Sequence, residues 1–347
     1  MDRKDSHLTL CLTAPVELGA GDASGFGGLR FEHDALPEVD RAAVTTETEL
    51  LGKRLAAPLV VGAMTGGTPR AGELNQRLAK AAEACGVGFA LGSQRRMLED
   101  PSTRATFAVR EVAPGLRLLF GNVGAVQLNY GVGAAEVRRL VEAVGCDAFN
   151  FHLNPLQEAI QPEGDTRFAG LVARLREVAP AVGVPVLLKE VGAGISRATA
   201  LKIRELPVAG VETAGVGGTS WARIESLRTA DPVQRSTGEL FARWGIPTAE
   251  SVATCRAVLP DRVVIASGGI RNGIEAAKAL ALGADAVALA LPLLKAAERS
   301  TEEAVLALRR VIEELRTAMF VTGCRTVPEL RLRPLVRARD LTAQEPA

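Results

Sequence analysis

The chain has 347 residues, of which 47% are hydrophobic and 23% charged, with a net charge of +1. That is a globular composition sized for one large α/β barrel or two ordinary domains, without the basic excess or stripe of a nucleic-acid binder. Five scattered cysteines without a CxxC pair argue against a zinc site or a disulfide framework and for reduced thiols in a cytoplasmic protein; MDRKDSHL lacks the apolar core of a signal peptide, and no apolar run approaches the ~20 residues needed to cross a membrane.

Residues 1–57 read as an extension. After it, one theme repeats: a short β-branched run, a turn, then a helical pattern. Val60–Ala63 is the first run, followed by a helix over Arg70–Cys85, and Val87–Leu91 is the second. Leu118–Asn122 precedes a helix over Ala134–Val144, and Ala148–His152 one over Phe168–Val178. Val186–Lys189 precedes a helix over Arg197–Leu206; Val208–Thr213 is the sixth run. Val263–Ser267 is followed by a helix over Gly273–Leu282, and Ala286–Ala290 is the eighth run. Eight near-continuous apolar strands alternating with helices predict a closed parallel (β/α)8 (TIM) barrel over 58–337. An open doubly wound sheet is the competing fold, but no GxGxxG follows the first strand. Helices after Glu302 close the domain, and residues 338–347 read as a polar, fraying tail.

In such a barrel, chemistry sits in the loops at the C-terminal strand ends. Gly268-Gly269-Ile270-Arg271 after the seventh strand and Leu289-Ala290 at the eighth suit a phosphate cradle; the alternative is a plain tight turn. Met64-Thr65-Gly66, Ser93-Gln94-Arg95 and Asn122 bring polar groups to three consecutive strand ends, as a planar polar ligand requires. His152, Asn154, Gln157 and Glu158 crowd the fourth strand end; Glu158 is a candidate Mg²⁺ ligand, unless this is a solvated loop. Lys189 ends the fifth strand and suits a Schiff base, an anion, a reduced flavin, or simply a pair with Glu190. Thr219 and Ser220 in a glycine-rich loop are candidate ligand donors, and Trp221 reads as core or lid. Arg3, Lys4 and His7 form a cationic cluster, either a solvated tail or a clamp for a diphosphate.

Several stretches, in order along nearly the whole chain, resemble the type 2, FMN-dependent isopentenyl-diphosphate isomerases. They include RKDSHL, FEHDALPE, MTGG, GSQR, GAVQLNYG, HLNPLQEAIQPEGDT, KEVGAGIS, GGTSWARIE, WGIPTAES and ASGGIRNGIEAAKALALGAD. HLNPLQE is specific to that family, whereas SGGIR is shared among FMN barrels. The resemblance implies FMN on Met64, Thr65, Gly66, Ser93, Asn122, Lys189 and Thr219, with its phosphate on Gly268, Gly269, Arg271, Leu289 and Ala290. It implies that Arg3, Lys4, His7, Ser93 and Arg95 hold the substrate diphosphate. His152, Asn154 and Gln157 would line the pocket with Lys189, Gln157 orienting or relaying a proton, and Glu158 would hold Mg²⁺. The implied reaction converts isopentenyl to dimethylallyl diphosphate without net redox change; NADPH only primes the flavin. A homo-oligomer is also implied. Two positions depart from the family pattern: Glu212 stands where Asp is usual, and Leu291 where Arg is common.

Three other readings compete. An FMN barrel oxidase or dehydrogenase acting on hydroxy acids needs a late histidine base, and none follows His152. A non-catalytic flavin-binding scaffold would lack the polar set at the fourth strand end. Schiff-base chemistry through Lys189 would proceed without flavin.

Overall fold

The computed structural model describes residues 3–18 and 23–337; the expected tail at 338–347 lies outside them. Eight parallel strands close into a barrel: β1 (Leu59–Val61), β2 (Gly88–Ala90), β3 (Leu119–Gly124), β4 (Ala148–Leu153), β5 (Val186–Glu190), β6 (Gly210–Glu212), β7 (Val263–Ala266) and β8 (Ala286–Leu289). They pair in chain order, and β8 closes on β1 through Ala288 opposite Val60. The open-sheet alternative is thereby overturned. The strands are largely apolar on both faces because one face meets the barrel interior and the other meets the helices, with polar residues such as Asn122, Lys189, Glu190 and Glu212 mostly toward their C-terminal ends.

The helices stop and start where local chemistry dictates. The helix Pro69–Cys85 begins with Thr68 accepting the Ala71 N–H and a proline in its first turn, and ends at Gly86, whose φ of 64° turns the chain out. The expected helix over Phe168–Val178 begins later, at Leu171, behind Gly170 with φ 75°.

The extension does two jobs. Its first part, helix α1 (Arg3–Thr13), packs against the barrel's own helices Pro69–Cys85, Trp221–Arg228 and Leu291–Arg299. Asp5 accepts the Thr68 hydroxyl proton at 2.7 Å, and Leu8 and Cys11 are buried. Its later part, a hairpin of Thr48–Leu50 and Lys53–Leu55, turns through Leu51 and Gly52, both at positive φ. Leu50 and Leu55 plug the barrel base against Val60, Leu118, Phe120 and Ala286. Leu29–Phe31 pairs antiparallel with Leu335–Arg337 and ties the extension to the end of the domain.

Candidate active site

The opposite end of the barrel holds a cavity of about 500 Å³, within the range of small-molecule sites. The strand ends and α1 bring most of the expected residues to it. Met64, Thr65, Ser93, Asn122, Lys189 and Thr219 line its walls. Gly268, Gly269, Arg271 and Ala290 line one end, and Arg3, Lys4, His7 and Arg95 lie over the mouth. His152, Asn154, Gln157 and Glu158 line it too. Gly66 and Leu289 do not: a Cβ on Gly66 would sit 2.0 Å from the Phe107 ring, and the Leu289 side chain is buried in the core.

Hydrogen bonds fix the orientation of the polar side chains. Asn122 Nδ2 donates to the Leu91 carbonyl oxygen at 3.0 Å, so its Oδ1 faces His152 Nδ1 at 2.9 Å. Nδ1 therefore carries the proton, and Nε2 is left as an acceptor. Burial pushes the His152 imidazole down to about 3, and the charges of Lys4 and Lys189 add to the effect. His152 is therefore neutral near pH 7.

Helix α2 (Pro155–Ile160) carries the next chain of contacts. Asn154 Nδ2 donates to Glu158 Oε1 at 2.7 Å and to Gln157 Oε1 at 3.3 Å. Gln157 Nε2 then donates to Glu225 Oε1 at 3.0 Å. The Gln157 amide thus bridges Asn154 and a carboxylate that sequence reading did not single out. Glu225 lies on helix α3 (Trp221–Arg228) and is fully buried. Ser220 caps α3, and the helical spacing places Glu225 one turn below Trp221. His7 Nε2 lies 3.0 Å from Glu225 Oε1, close enough to pair but not aligned as a hydrogen bond, and its ring meets Trp221 edge-on. Burial lowers the His7 imidazole against the pull of Glu225. Burial alone would raise the Glu225 carboxyl, but His7, Gln157 and Arg228 together hold it below the usual range.

Lys189 does not pair with the Glu190 carboxylate. Its Nζ donates to Glu212 Oε1 at 2.7 Å and only to the backbone oxygen of Glu190, at 3.0 Å. Glu212 also accepts the Ser267 hydroxyl proton at 2.9 Å. The extra methylene at this position therefore reaches a buried lysine and serine. The Glu190 carboxylate instead gathers the N–H groups of Val191, Gly192, Ala193 and Gly194 and fixes that loop beside the cavity. Burial pushes its carboxyl up to about 7 against those four donors.

The cradle and the cations at the rim also have defined partners. Gly268 and Gly269 have φ of 104° and 76°, and a Cβ on either would lie within 2.3 Å of the loop after β6. Only glycine fits there. Arg271 grips Glu17 at 3.0 Å and the backbone oxygens of Gly269 and Gly217, so it staples two loops and the strap after α1 together. Arg95 pairs with Glu99 at 2.8 Å and with Asp165. Asp165 in turn donates its backbone N–H to Glu158 Oε2 at 2.7 Å. Burial raises the Glu158 carboxyl.

The residues at the mouth suit the groups that the resemblance implies. Thr65 Oγ1 and Asn154 Oδ1 are buried without partners, which suits a polar ligand in contact with them. With the glycine cradle and the cavity size, the residues fit FMN. Glu158 faces the cavity with carboxylate lone pairs to spare, as a single protein ligand of Mg²⁺ completed by phosphate and water would. Among the described residues, no group of three or more His, Cys, Asp or Glu side chains forms a cation cage.

Comparison with known proteins decides the family. Residues 158–337 match the FMN-dependent dehydrogenase family model. The isopentenyl-diphosphate delta-isomerase of Synechococcus sp. is 49% identical over 92% of this chain and 91% of its own. That of Rickettsia bellii is 44% identical over 95% of each chain, and that of Stutzerimonas stutzeri is 46% identical over 95% of each. The chain belongs to the isopentenyl-diphosphate delta-isomerase family. It is a flavoprotein of the FMN barrel type. Among solved structures, a mandelate oxidase with bound (S)-2-phenylpropionate superposes with a TM-score of 0.66 over 95% of this chain and 94% of its own, at 21% identity. That likeness shows the shared barrel alone.

Proposed function

We propose that the chain isomerises isopentenyl diphosphate to dimethylallyl diphosphate. The observation that carries the reading is the Gln157 amide, held between Asn154 and buried Glu225 beneath a cationic arm. The reaction takes one proton from an allylic carbon and places another on the terminal alkene carbon. It therefore needs polar groups that hold and move protons beside an apolar alkene, in a place sheltered from water. Reduced FMN, when bound, supplies an electron-rich ring edge able to exchange a proton.

The rest is the work of this chain's side chains. Arg3, Lys4, His7 and Arg95, with Ser93, hold the diphosphate, and Glu158 shares Mg²⁺ with it. Met64, Thr65, Asn122 and Thr219 seat the flavin; Gly268, Gly269 and Ala290 receive its phosphate, with Arg271 bracing that end. Lys189 puts positive charge beside the flavin, and its commitment to Glu212 disfavours Schiff-base chemistry. Gln157 is too weak an acid to act alone. It orients the alkene and passes a proton between the cavity and Glu225, while neutral His152 offers Nε2 as an acceptor. NADPH is the reductant that primes the flavin. The protein works in the cytoplasm as a homo-oligomer; among the described residues no helix is long and apolar enough to cross a membrane.

The alternatives are weaker. Hydroxy-acid oxidation has no histidine after His152 to act as base. A non-catalytic scaffold gives no reason for the bridged Gln157.

The test is to load the protein with FMN, reduce it anaerobically, and add isopentenyl diphosphate with Mg²⁺. Dimethylallyl diphosphate appearing by NMR supports the assignment. A flavin-loaded, reduced protein that forms none overturns it.

A further inference from the structure

Glu225 has a second partner beyond the cavity. Arg228, one turn along α3, grips Glu225 Oε2 through Nη1, and its Nη2 lies 3.0 Å from Glu163 Oε1. Glu163 also lies 4.0 Å from Arg3 Nη1 on α1. Arg228 is largely buried, with 14% of its side chain exposed, whereas Glu163 is 47% exposed. The guanidinium therefore joins the buried proton-handling carboxylate to the rim on which α1 closes. We propose that Arg228 is a positioning residue for the isomerisation: it keeps Glu225 ionised and turned so that Oε1 faces Gln157 and His7. The proposal rests on the role given to Glu225 above.

The His7 contact and the Gln157 N–H also favour the ionised carboxyl, but Arg228 brings a full charge onto Oε2. A buried carboxylate needs a paired charge, and loss of one partner strands the other. α1 contributes His7, whose imidazole is held low by burial and so supplies little positive charge near pH 7; Lys4 acts on His7. α2 contributes neutral Gln157, and Glu158 on the same helix turns toward Asn154 and the Asp165 N–H. On the following helix, Pro232–Leu240, Arg235 donates to the Thr229 carbonyl oxygen and Glu239 is exposed; Arg243 beyond it is also exposed. Arg228 is thus the permanent charge in direct contact with Glu225. Its divided attachment carries a corollary: Glu163 draws part of that charge away, so neutralising Glu163 strengthens the hold on Glu225.

The test compares wild type, Arg228→Gln, Arg228→Lys and Glu163→Gln, each loaded with FMN and reduced. The acid limb of kcat is followed against pH, with KM measured in parallel. Arg228→Gln is expected to move the acid limb up by about one pH unit or more and to lower kcat while KM changes by about twofold or less. Arg228→Lys is expected to restore the limb, and Glu163→Gln to move it down slightly. Infrared difference spectra of the carboxyl stretch, assigned with Glu225→Gln, read the same titration without turnover. That readout separates failure of this inference from failure of the isomerase reading. Should Arg228→Gln not fold, Glu163→Gln still gives a shift of opposite sign to look for. An acid limb and infrared titration unmoved in both Arg228→Gln and Glu163→Gln, or in Glu163→Gln alone if the first does not fold, would overturn the proposal.

Discussion

The two ends of the barrel treat their polar groups in opposite ways. At the base, Asp147 and Asp285 immediately precede β4 and β8, half a barrel apart, and make the same clamp. Asp147 Oδ2 accepts the Leu119 N–H at 2.8 Å and Arg110 Nη2 at 2.5 Å. Asp285 Oδ2 accepts the Val264 N–H at 2.8 Å and Arg256 Nη2 at 2.6 Å. Each arginine also donates Nε to the carbonyl oxygen of a positive-φ glycine, Gly145 or Gly283, two residues before the aspartate. A second cation, Lys53 or Arg331, takes each Oδ1. Both aspartates are thus fully engaged. At the mouth, by contrast, Thr65 Oγ1 and Asn154 Oδ1 lack partners, His7 Nε2 is misaligned, and a cationic arm faces inward. Closed networks serve stability, whereas open ones await a ligand.

The largest expected break of that contrast is Lys189→Met. It strands Glu212 beside Ser267 and removes the cation proposed to face the flavin, so FMN is expected to be lost on gel filtration and turnover to fall on the order of 10³-fold. At the base, Asp147→Ala or Asp285→Ala is expected to cost about 2–3 kcal/mol in urea unfolding, with kcat within about twofold of wild type. The two clamps lie far apart, so the double variant is expected to show the sum. Loss of activity at unchanged stability in either single variant would erase the division between the ends.

A smaller effect is expected from pH. The His152 imidazole is held down near 3 in the fold and returns toward 6.5 when unfolded. Below 6.5 the unfolded chain takes up a proton that the folded one refuses. Stability is therefore fully present above 6.5 and declines as pH falls toward 3, by at most about 1.4 kcal/mol per pH unit. His7 acts in the same direction. Thermal melts of the flavin-free protein are expected to fall between pH 7 and 5, and less steeply in His152→Asn. The smallest change expected is in the stability of Glu163→Gln, within about 0.5 kcal/mol of wild type by urea unfolding, because its ion pairs sit at the exposed rim.

The barrel was legible because buried parallel strands read as apolar runs and their polar residues fall at one end. The base hairpin was not, since three-residue strands carry too little alternation to stand out. The repeated clamp hides in two short Gly-x-Asp triplets, Gly145 to Asp147 and Gly283 to Asp285, whose arginines arrive from elsewhere in the chain. HLNPLQE announced a polar site; its partner Glu225 closes the GGTSWARIE stretch, where the resemblance gave it no role, and only packing makes it a buried carboxylate facing Gln157. The expected anion-holding Arg271 and Arg95 look free in sequence. In the fold both have carboxylate partners, a pairing between distant segments that no local pattern reveals.

The most direct test of the account is turnover in heavy water, with reduced and oxidised enzyme compared. The account predicts dimethylallyl diphosphate carrying solvent deuterium, formed only by the reduced flavoprotein and without stoichiometric consumption of NADPH. Product formed equally by the oxidised or flavin-free protein, or NADPH consumed with each turnover, would contradict it.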